Sequence, residues 1–288
     1  MTASAGPTPE RASLWRFLEF QNLGLNLPFA LAFIFVAAVG LPTWQQALLI
    51  VVALVAGRNA GHSFNRWADR RYDALNPRTA SRDLVTGARS PGFALAFAFA
   101  NAALVIVAAY FLNPLAFALS PVAIALIFGY SYTKRYTAWT TVFLGVAEAA
   151  IPIAVFIAID GRVPSEAWAA AVGLVLWGTA FETIHSLGDV DADRAAGLRS
   201  VPVALGPDRA RTLVPALHAA ALVTFVGFGW LANLEWPYYV GLGLMGAVIA
   251  YVNLELFRSP SETRRPFRLH FVLSGLFLAG TVLAIFLP

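Results

Sequence analysis

The sequence predicts an all-α, polytopic membrane bundle of about nine transmembrane helices. Three observations carry that expectation. Hydrophobic residues make up 59% of the 288-residue chain and charged residues only 12%, where soluble chains carry about a quarter charged; the mean hydropathy is +0.68. The apolar residues gather in runs long enough to cross a hydrocarbon core of ~30 Å, which takes about 20 helical residues. None of the runs alternates with the period of a strand, and in lipid a backbone must satisfy its own polar groups, so the runs are helices.

Residues 1–20 read as a short, flexible, water-facing tail. It lacks a signal-peptide pattern, because the apolar run begins only near Leu23 and no small-residue cleavage site follows. The expected spans are roughly 23–40, 44–66, 92–112, 114–131, 140–159, 166–187, 213–233, 237–257 and 269–287. Positive charge falls in the tail and in the connections after the second, fourth, sixth and eighth spans: Arg66 to Arg89, Lys134 with Arg135, Arg194 to Arg211, and Arg258, Arg264, Arg265 and Arg268. The opposite connections carry only Arg162. The positive-inside rule then places the N-terminus and these polar connections in the cytoplasm of a cell with the protein in its inner membrane. Topology accounts for the net charge of +4 without nucleic acid. With no cysteine, disulfides and thiolate metal sites are excluded and the redox compartment is unreadable. Nothing in the chain calls for an obligate protein partner.

The chain reads as one domain over 1–288, built as two four-helix halves plus a ninth helix. Asp69 and Asp73 lie 120 positions before Asp189 and Asp193, and His62 and Asn65 lie 120 before Glu182 and His185. Both polar runs end in basic residues and a glycine, Gly87 or Gly206. In the second span only ALLIVVALVA is purely apolar; Arg58, Asn59, His62, Asn65 and Asp69 follow. The sixth span turns polar from Glu182 onward. Polar groups at membrane depth are costly unless they face the bundle interior or a wet cavity. Both helices should therefore line a polar cavity in the cytoplasmic half of the membrane, with active-site ends and loops over 65–90 and 185–211.

Asn65, Asp69 and Asp73, at i, i+4 and i+8, stack on one helix face. Asp189 and Asp193 repeat that spacing, with Asp191 between them. Like charges at i, i+4 repel, so two such pairs point to a shared cation. Hard oxygen ligands suit Mg²⁺, which takes one or two carboxylates together with water and substrate phosphates. Arg70, Arg78, Arg82, Lys134, Arg194 and Arg199 supply more positive charge than the carboxylates require, as a metal-bridged polyphosphate would need. Two blander readings stand beside this one: solvated loop charges obeying the topology rule, and an ion or proton pathway.

The segment NRWADRRYDALNPRTASRDL resembles the first aspartate-rich motif of the UbiA family of intramembrane prenyltransferases, NDxxDxxxD followed by RTxxR. DVDADRAAGLRS resembles the family's second motif, and YSYTKRYT is similar to its tyrosine- and lysine-bearing loop. Arg66 stands where many members have Asp, as it often does in the branch that prenylates dihydroxynaphthoate-type acids. The resemblance implies Mg²⁺-dependent transfer of a prenyl group from a prenyl diphosphate to an aromatic acceptor, of the 4-hydroxybenzoate or dihydroxynaphthoate type, in quinone biosynthesis. Transfer would pass through an allylic carbocation with release of pyrophosphate. It further implies that Asp69, Asp73, Asp189 and Asp193 hold the metal, with Asn65 assisting. Arg78, Arg82, Lys134 and Arg199 would neutralise the leaving diphosphate, while Tyr130 and Asp191 would border the substrates. The prenyl site would open sideways to the bilayer.

Glu148 lies amid the fifth span, where it either neutralises Arg58 across the bundle or borders the acceptor pocket. His62 and His185 read as hydrogen-bonding groups of the bundle. Many relatives begin with a cation, a Phe and an acid before a run ending LPFA; here the stretch is LEFQNLGLNLPFA, with Glu19 in the cation's position and Asn26 inside the run. That departure leaves the acceptor open, including a glycerol-phosphate ether lipid. From other classes, a transporter remains an alternative, whereas the Gly and Ala-Arg arrangement of phosphatidyl-alcohol transferases is missing.

Overall fold

A computed structural model describes residues 14–19, 23–259 and 262–287; most of the expected N-terminal tail lies outside the described residues. Thirteen helices follow in order: α1 (Leu14–Leu18), α2 (Leu23–Ala37), α3 (Trp44–Asp73), α4 (Pro91–Leu112), α5 (Pro114–Tyr130), α6 (Thr133–Tyr136), α7 (Thr140–Asp160), α8 (Ser165–Leu187), α9 (Val190–Ala195), α10 (Val201–Leu205), α11 (Pro207–Leu231), α12 (Trp236–Arg258) and α13 (Arg264–Phe286). Seven of them are long and apolar enough to cross a membrane; α2, with 15 residues, and α5, with 17, are shorter apolar helices. Together they make the nine expected elements among the described residues.

Local chemistry sets the boundaries. Thr43 and Gln46 form a reciprocal capping box at the start of α3. Ser90 and Asn113 accept backbone N–H bonds at the starts of α4 and α5, each followed by a proline that needs no partner there. Gly161 ends α7 with φ +69°, a left-handed conformation that favours glycine.

Neighbours in the ring are α2–α3, α3–α4, α4–α5, α5–α7, α7–α8, α8–α11, α11–α12 and α12–α13, and α2 closes it by packing on α13 and α7. The duplication is visible here: α2, α3, α4 and α5 correspond to α7, α8, α11 and α12, each starting within a few residues of the 120-position offset, and α13 stands alone. Both glycines that end the polar runs, Gly87 (φ +78°) and Gly206 (φ +86°), adopt left-handed backbone.

Lipid tails are as apolar as leucine, so the helices are held by packing rather than by water exclusion. An aromatic cluster does much of this: Phe29 of α2 meets Trp177 of α8 and Phe277 of α13, each at 5.0 Å between ring centroids. Small residues permit close crossings. A Cβ on Gly178 would lie 3.0 Å from the Cα of Gly145 across α7–α8, and one on Gly145 would run into the carbonyl of Val175.

Gly145→Ala should therefore lower the thermal unfolding midpoint of the purified protein in detergent, because overpacking costs about 1–3 kcal/mol. Gly243→Ala is the control, since nothing lies near its Cβ position. Equal midpoints for the two variants would contradict the close α7–α8 crossing.

Candidate active site

Helix α3 has 30 residues, about 45 Å at 1.5 Å per residue, half as long again as a hydrocarbon core. Its last turns carry Asn65, Asp69 and Asp73 beyond the apolar stretch, Asp73 buried and the other two partly so. The corresponding part of the second half is not continuous. Helix α8 ends at Leu187, and Asp189 sits at the break before α9 begins at Val190. The spacing of Asp189 and Asp193 predicts one uninterrupted helix face; the break corrects that, although the Asp193 N–H still bonds to the Asp189 carbonyl at 2.8 Å.

These ends enclose a polar cavity of about 130 Å³. Asn65, Asp69 and Asp73 line it from α3, Arg78 and Arg82 from the following loop, and Tyr130 and Lys134 from the α5–α6 turn. Asp189, Asp193, Glu182 and His185 close it from α8 and α9. Two acidic pairs separated by 120 positions thus face a common space.

Each of the four aspartates there stands beside an arginine or lysine. Asn65 donates to Asp69 at 2.8 Å, and Arg135 bonds Asp69 at 3.2 Å. One Arg82 nitrogen reaches both Asp73 oxygens, at 2.7 and 2.8 Å. Arg78 donates through Nε and Nη2 to the two oxygens of Asp189, at 2.9 and 2.7 Å, and Asn76 adds a bond at 2.9 Å. Lys134 Nζ lies 3.9 Å from Asp193 Oδ2, a buried oxygen that receives no hydrogen bond. The Tyr130 hydroxyl donates to Glu182 at 3.3 Å, and His185 Nδ1 stands 3.3 Å from the other Glu182 oxygen.

Burial works against ionising Asp189, but the hydrogen bonds and charge of Arg78 outweigh it and hold the carboxyl well below the usual range. For Asp193 burial prevails over the more distant Lys134 and pushes the pKa up. Burial also disfavours the Lys134 ammonium, yet Glu182, Asp193, Asp189 and Asp69 together raise its pKa and keep it charged. Arg78, opposed by burial and held chiefly by Asp189, is raised as well.

Some expected groups lie elsewhere. Arg199 is exposed, donating to the Tyr136 carbonyl at 2.8 Å, while its N–H holds the Lys134 carbonyl at 2.8 Å. Asp191 is exposed and pairs with Arg194 at 3.7 Å. Neither lines the cavity. Glu148 takes a bond from Asn26 at 3.2 Å, whereas Arg58 donates to the carbonyls of Leu18 and Glu19 at 2.6 and 2.8 Å. The expected Arg58–Glu148 neutralisation is corrected accordingly: the nearby backbone of α1 satisfies the guanidinium. Arg66 reaches Glu19 at 2.6 Å and His62 at 2.8 Å, and Phe17 and Leu18 are buried, so the described part of the expected tail is packed. Asn76 and the bond by which Glu182 holds Tyr130 escaped sequence reasoning, although Tyr130 itself is an expected site residue. Glu182 could have been found from its place in the 120-position repeat, while Asn76 has no counterpart signal.

Among the described residues, no three acidic or histidine side chains converge as a ready-made ion cage. The acids line opposite walls in pairs, and Asp193 Oδ2 is a buried oxygen wanting a donor or cation. This donor set fits Mg²⁺ shared with a substrate's phosphates better than an all-protein cage.

If the Arg78 fork ties the loop to α9, Arg78→Gln should speed amide hydrogen exchange in residues 76–83 and 189–193 while sparing α12. Unchanged exchange in both segments would show that the bridge does not order them.

Residues 26–280 match the model of the UbiA prenyltransferase family. The chain is 34% identical over 262 residues to a 4-hydroxybenzoate octaprenyltransferase of Saccharophagus degradans, covering 87% of each chain. Its fold is similar to that of a UbiA homolog from Aeropyrum pernix K1, with a TM-score of 0.84 at 31% identity, covering 91% of this chain and 98% of that one. A UbiA homolog from Archaeoglobus fulgidus, bound to DMAPP and Mg²⁺, shares the fold with a TM-score of 0.75 at 21% identity, covering 96% of this chain and all of that one. This chain belongs to the UbiA prenyltransferase family and is an integral membrane prenyltransferase.

Proposed function

We propose that the enzyme transfers a prenyl group from a prenyl diphosphate to an aromatic acceptor of the 4-hydroxybenzoate or dihydroxynaphthoate type, in quinone biosynthesis, with release of pyrophosphate. The observation that carries the reaction is the single cavity in which two carboxylate pairs meet Arg78, Arg82 and Lys134. The 4-hydroxybenzoate octaprenyltransferases that the chain resembles over most of its length support the acceptor class.

Asp69, Asp73, Asp189 and Asp193 would hold Mg²⁺, a use supported by the orphaned oxygen of Asp193 and by the Mg²⁺ of the Archaeoglobus homolog. The ion, when bound, neutralises diphosphate oxygens and so makes pyrophosphate a better leaving group. The rest of the work falls to the chain. Arg78 and Arg82 offer planar forks suited to phosphate oxygens, and Lys134, the only lysine, offers a point charge. Inside a poorly hydrated pocket such fixed cations stabilise growing negative charge more than they would in water. Asn65 keeps Asp69 oriented. Glu182 anchors the Tyr130 hydroxyl, so the ring stays at the cavity wall, where an aromatic face can stabilise the electron-poor allylic carbon. Placement of these loops and the N-terminus in the cytoplasm follows from the arginine asymmetry.

Purified protein supplied with Mg²⁺, 4-hydroxybenzoate and a prenyl diphosphate should yield prenylated acid by mass spectrometry and an equal amount of pyrophosphate. Asp69→Asn, Asp193→Asn and Lys134→Met should each lower kcat by roughly a hundredfold or more, while remaining monodisperse. Full turnover by Lys134→Met would remove the lysine from the reaction. Pyrophosphate release by the wild type without prenylated product from any aromatic acid would overturn the acceptor class.

A further inference from the structure

A second, larger cleft of about 1100 Å³ adjoins the reaction cavity, and Asn76, Arg78, His185 and Ala192 line both. Its far wall is the start of α13. There Arg264, Phe267, Arg268 and Phe271 are spaced i, i+3, i+4 and i+7, one stripe of a helix. Both arginines are exposed. The two rings are half-buried and fixed from behind: Phe267 stacks on Phe181 at 4.6 Å, and Phe271 lies against Gly24 of α2.

The charge balance of this cleft is uneven. Its acids are engaged by other groups: Glu19 by Arg66, Asp191 by Arg194, and Glu262 by the backbone N–H groups of Arg264 and Arg265. Arg78 is occupied by Asp189. Arg265 turns the other way, to Tyr251 and Glu255. Among the described residues, Arg264 and Arg268 form no ion pair. Two available guanidiniums thus alternate with two phenyl rings over a cleft that leads to the reaction cavity. Topology alone requires positive charge on this side of the membrane; it does not require arginine and phenylalanine on one stripe.

We infer that this stripe of α13 captures the aromatic acceptor by its carboxylate, before the acceptor passes Arg78 and His185 into the reaction cavity. The inference rests on the proposed function. A carboxylate accepts a guanidinium fork, and its ring lies on an apolar surface; the stripe offers both. Exposed guanidiniums also draw an anion from water, and salt screens that attraction.

The test is steady-state kinetics on the full-length protein in a neutral detergent, with a short-chain prenyl diphosphate and 4-hydroxybenzoate. Arg264→Gln/Arg268→Gln should raise the acceptor KM roughly tenfold, with kcat and the prenyl diphosphate KM moving less than about twofold. Arg265→Gln, which removes an equal charge one position away, should leave the acceptor KM unchanged. The wild-type acceptor kcat/KM should fall with ionic strength, and that slope should flatten in the double variant. Discrimination between 4-hydroxybenzoate and the uncharged 4-hydroxybenzyl alcohol should shrink. An unchanged acceptor KM overturns the inference, as does an equal rise in both substrates' KM. A loss seen only in phosphatidylglycerol liposomes would assign the arginines to lipid headgroups and overturn it too. Wild type inactive on every aromatic acid would instead sink the underlying reaction.

Discussion

A carboxylate or guanidinium carried to membrane depth without a partner costs several kcal/mol, and in this bundle that cost ties distant segments together. The acids at the end of α3 and around α9 would each be a burden alone. They are met by Arg82 and Arg135 on one side and by Arg78 and Lys134 on the other. Three of these pairs join segments far apart in the chain: Arg78, in the loop after α3, reaches Asp189 beyond α8, Arg135 of α6 bonds Asp69 of α3, and Lys134, in the α5–α6 turn, faces Asp193. The polar loops are therefore fixed by the same charges that make a site, and a site whose cations already sit among carboxylates can accept metal and diphosphate by exchanging partners rather than by burying new charge.

The internal duplication places these groups but does not make the halves equivalent. His62 and Glu182 occupy corresponding positions, as do Asn65 and His185. His62 takes a bond from Arg66 within the network that seats α1. Glu182 instead looks into the cavity and holds Tyr130. Helix α3 runs unbroken through its acids, whereas α8 stops at Leu187 and re-aims Asp189 and Asp193 through a turn. Both polar helix ends thus line the cavity, but the α3 end also seats the N-terminal segment through His62 and Arg66.

Much of this was legible in the sequence, because membrane helices announce themselves by length and apolarity and polar residues inside them stand out against that background. The nine helical elements, the shared cavity and the places of Asp69, Asp73, Arg78, Arg82, Tyr130 and Lys134 follow from span lengths, spacing and the motif resemblance. What escaped depends on which neighbour happens to be nearest. Arg58 finds the carbonyls of α1 rather than Glu148, because α1 packs where a tail was expected. Arg135 reads as a topology charge beside Lys134, yet it bonds Asp69 and packs on Tyr132 at 4.6 Å. Arg199 carries a motif position but turns outward to Tyr136. A linear pattern cannot register these choices, which are settled by packing between segments far apart in the chain.

The central claim is that acids from both halves serve one ion-bridged diphosphate. Binding of Mn²⁺ in the presence of an unreactive prenyl diphosphate analogue, followed by electron paramagnetic resonance, tests it most directly. The account predicts that Asp73→Asn in the first half and Asp189→Asn in the second each weaken uptake of the ion, and that neither variant binds it normally when the analogue is present. Wild-type uptake in either variant would contradict the claim, by showing that one half alone holds the ion.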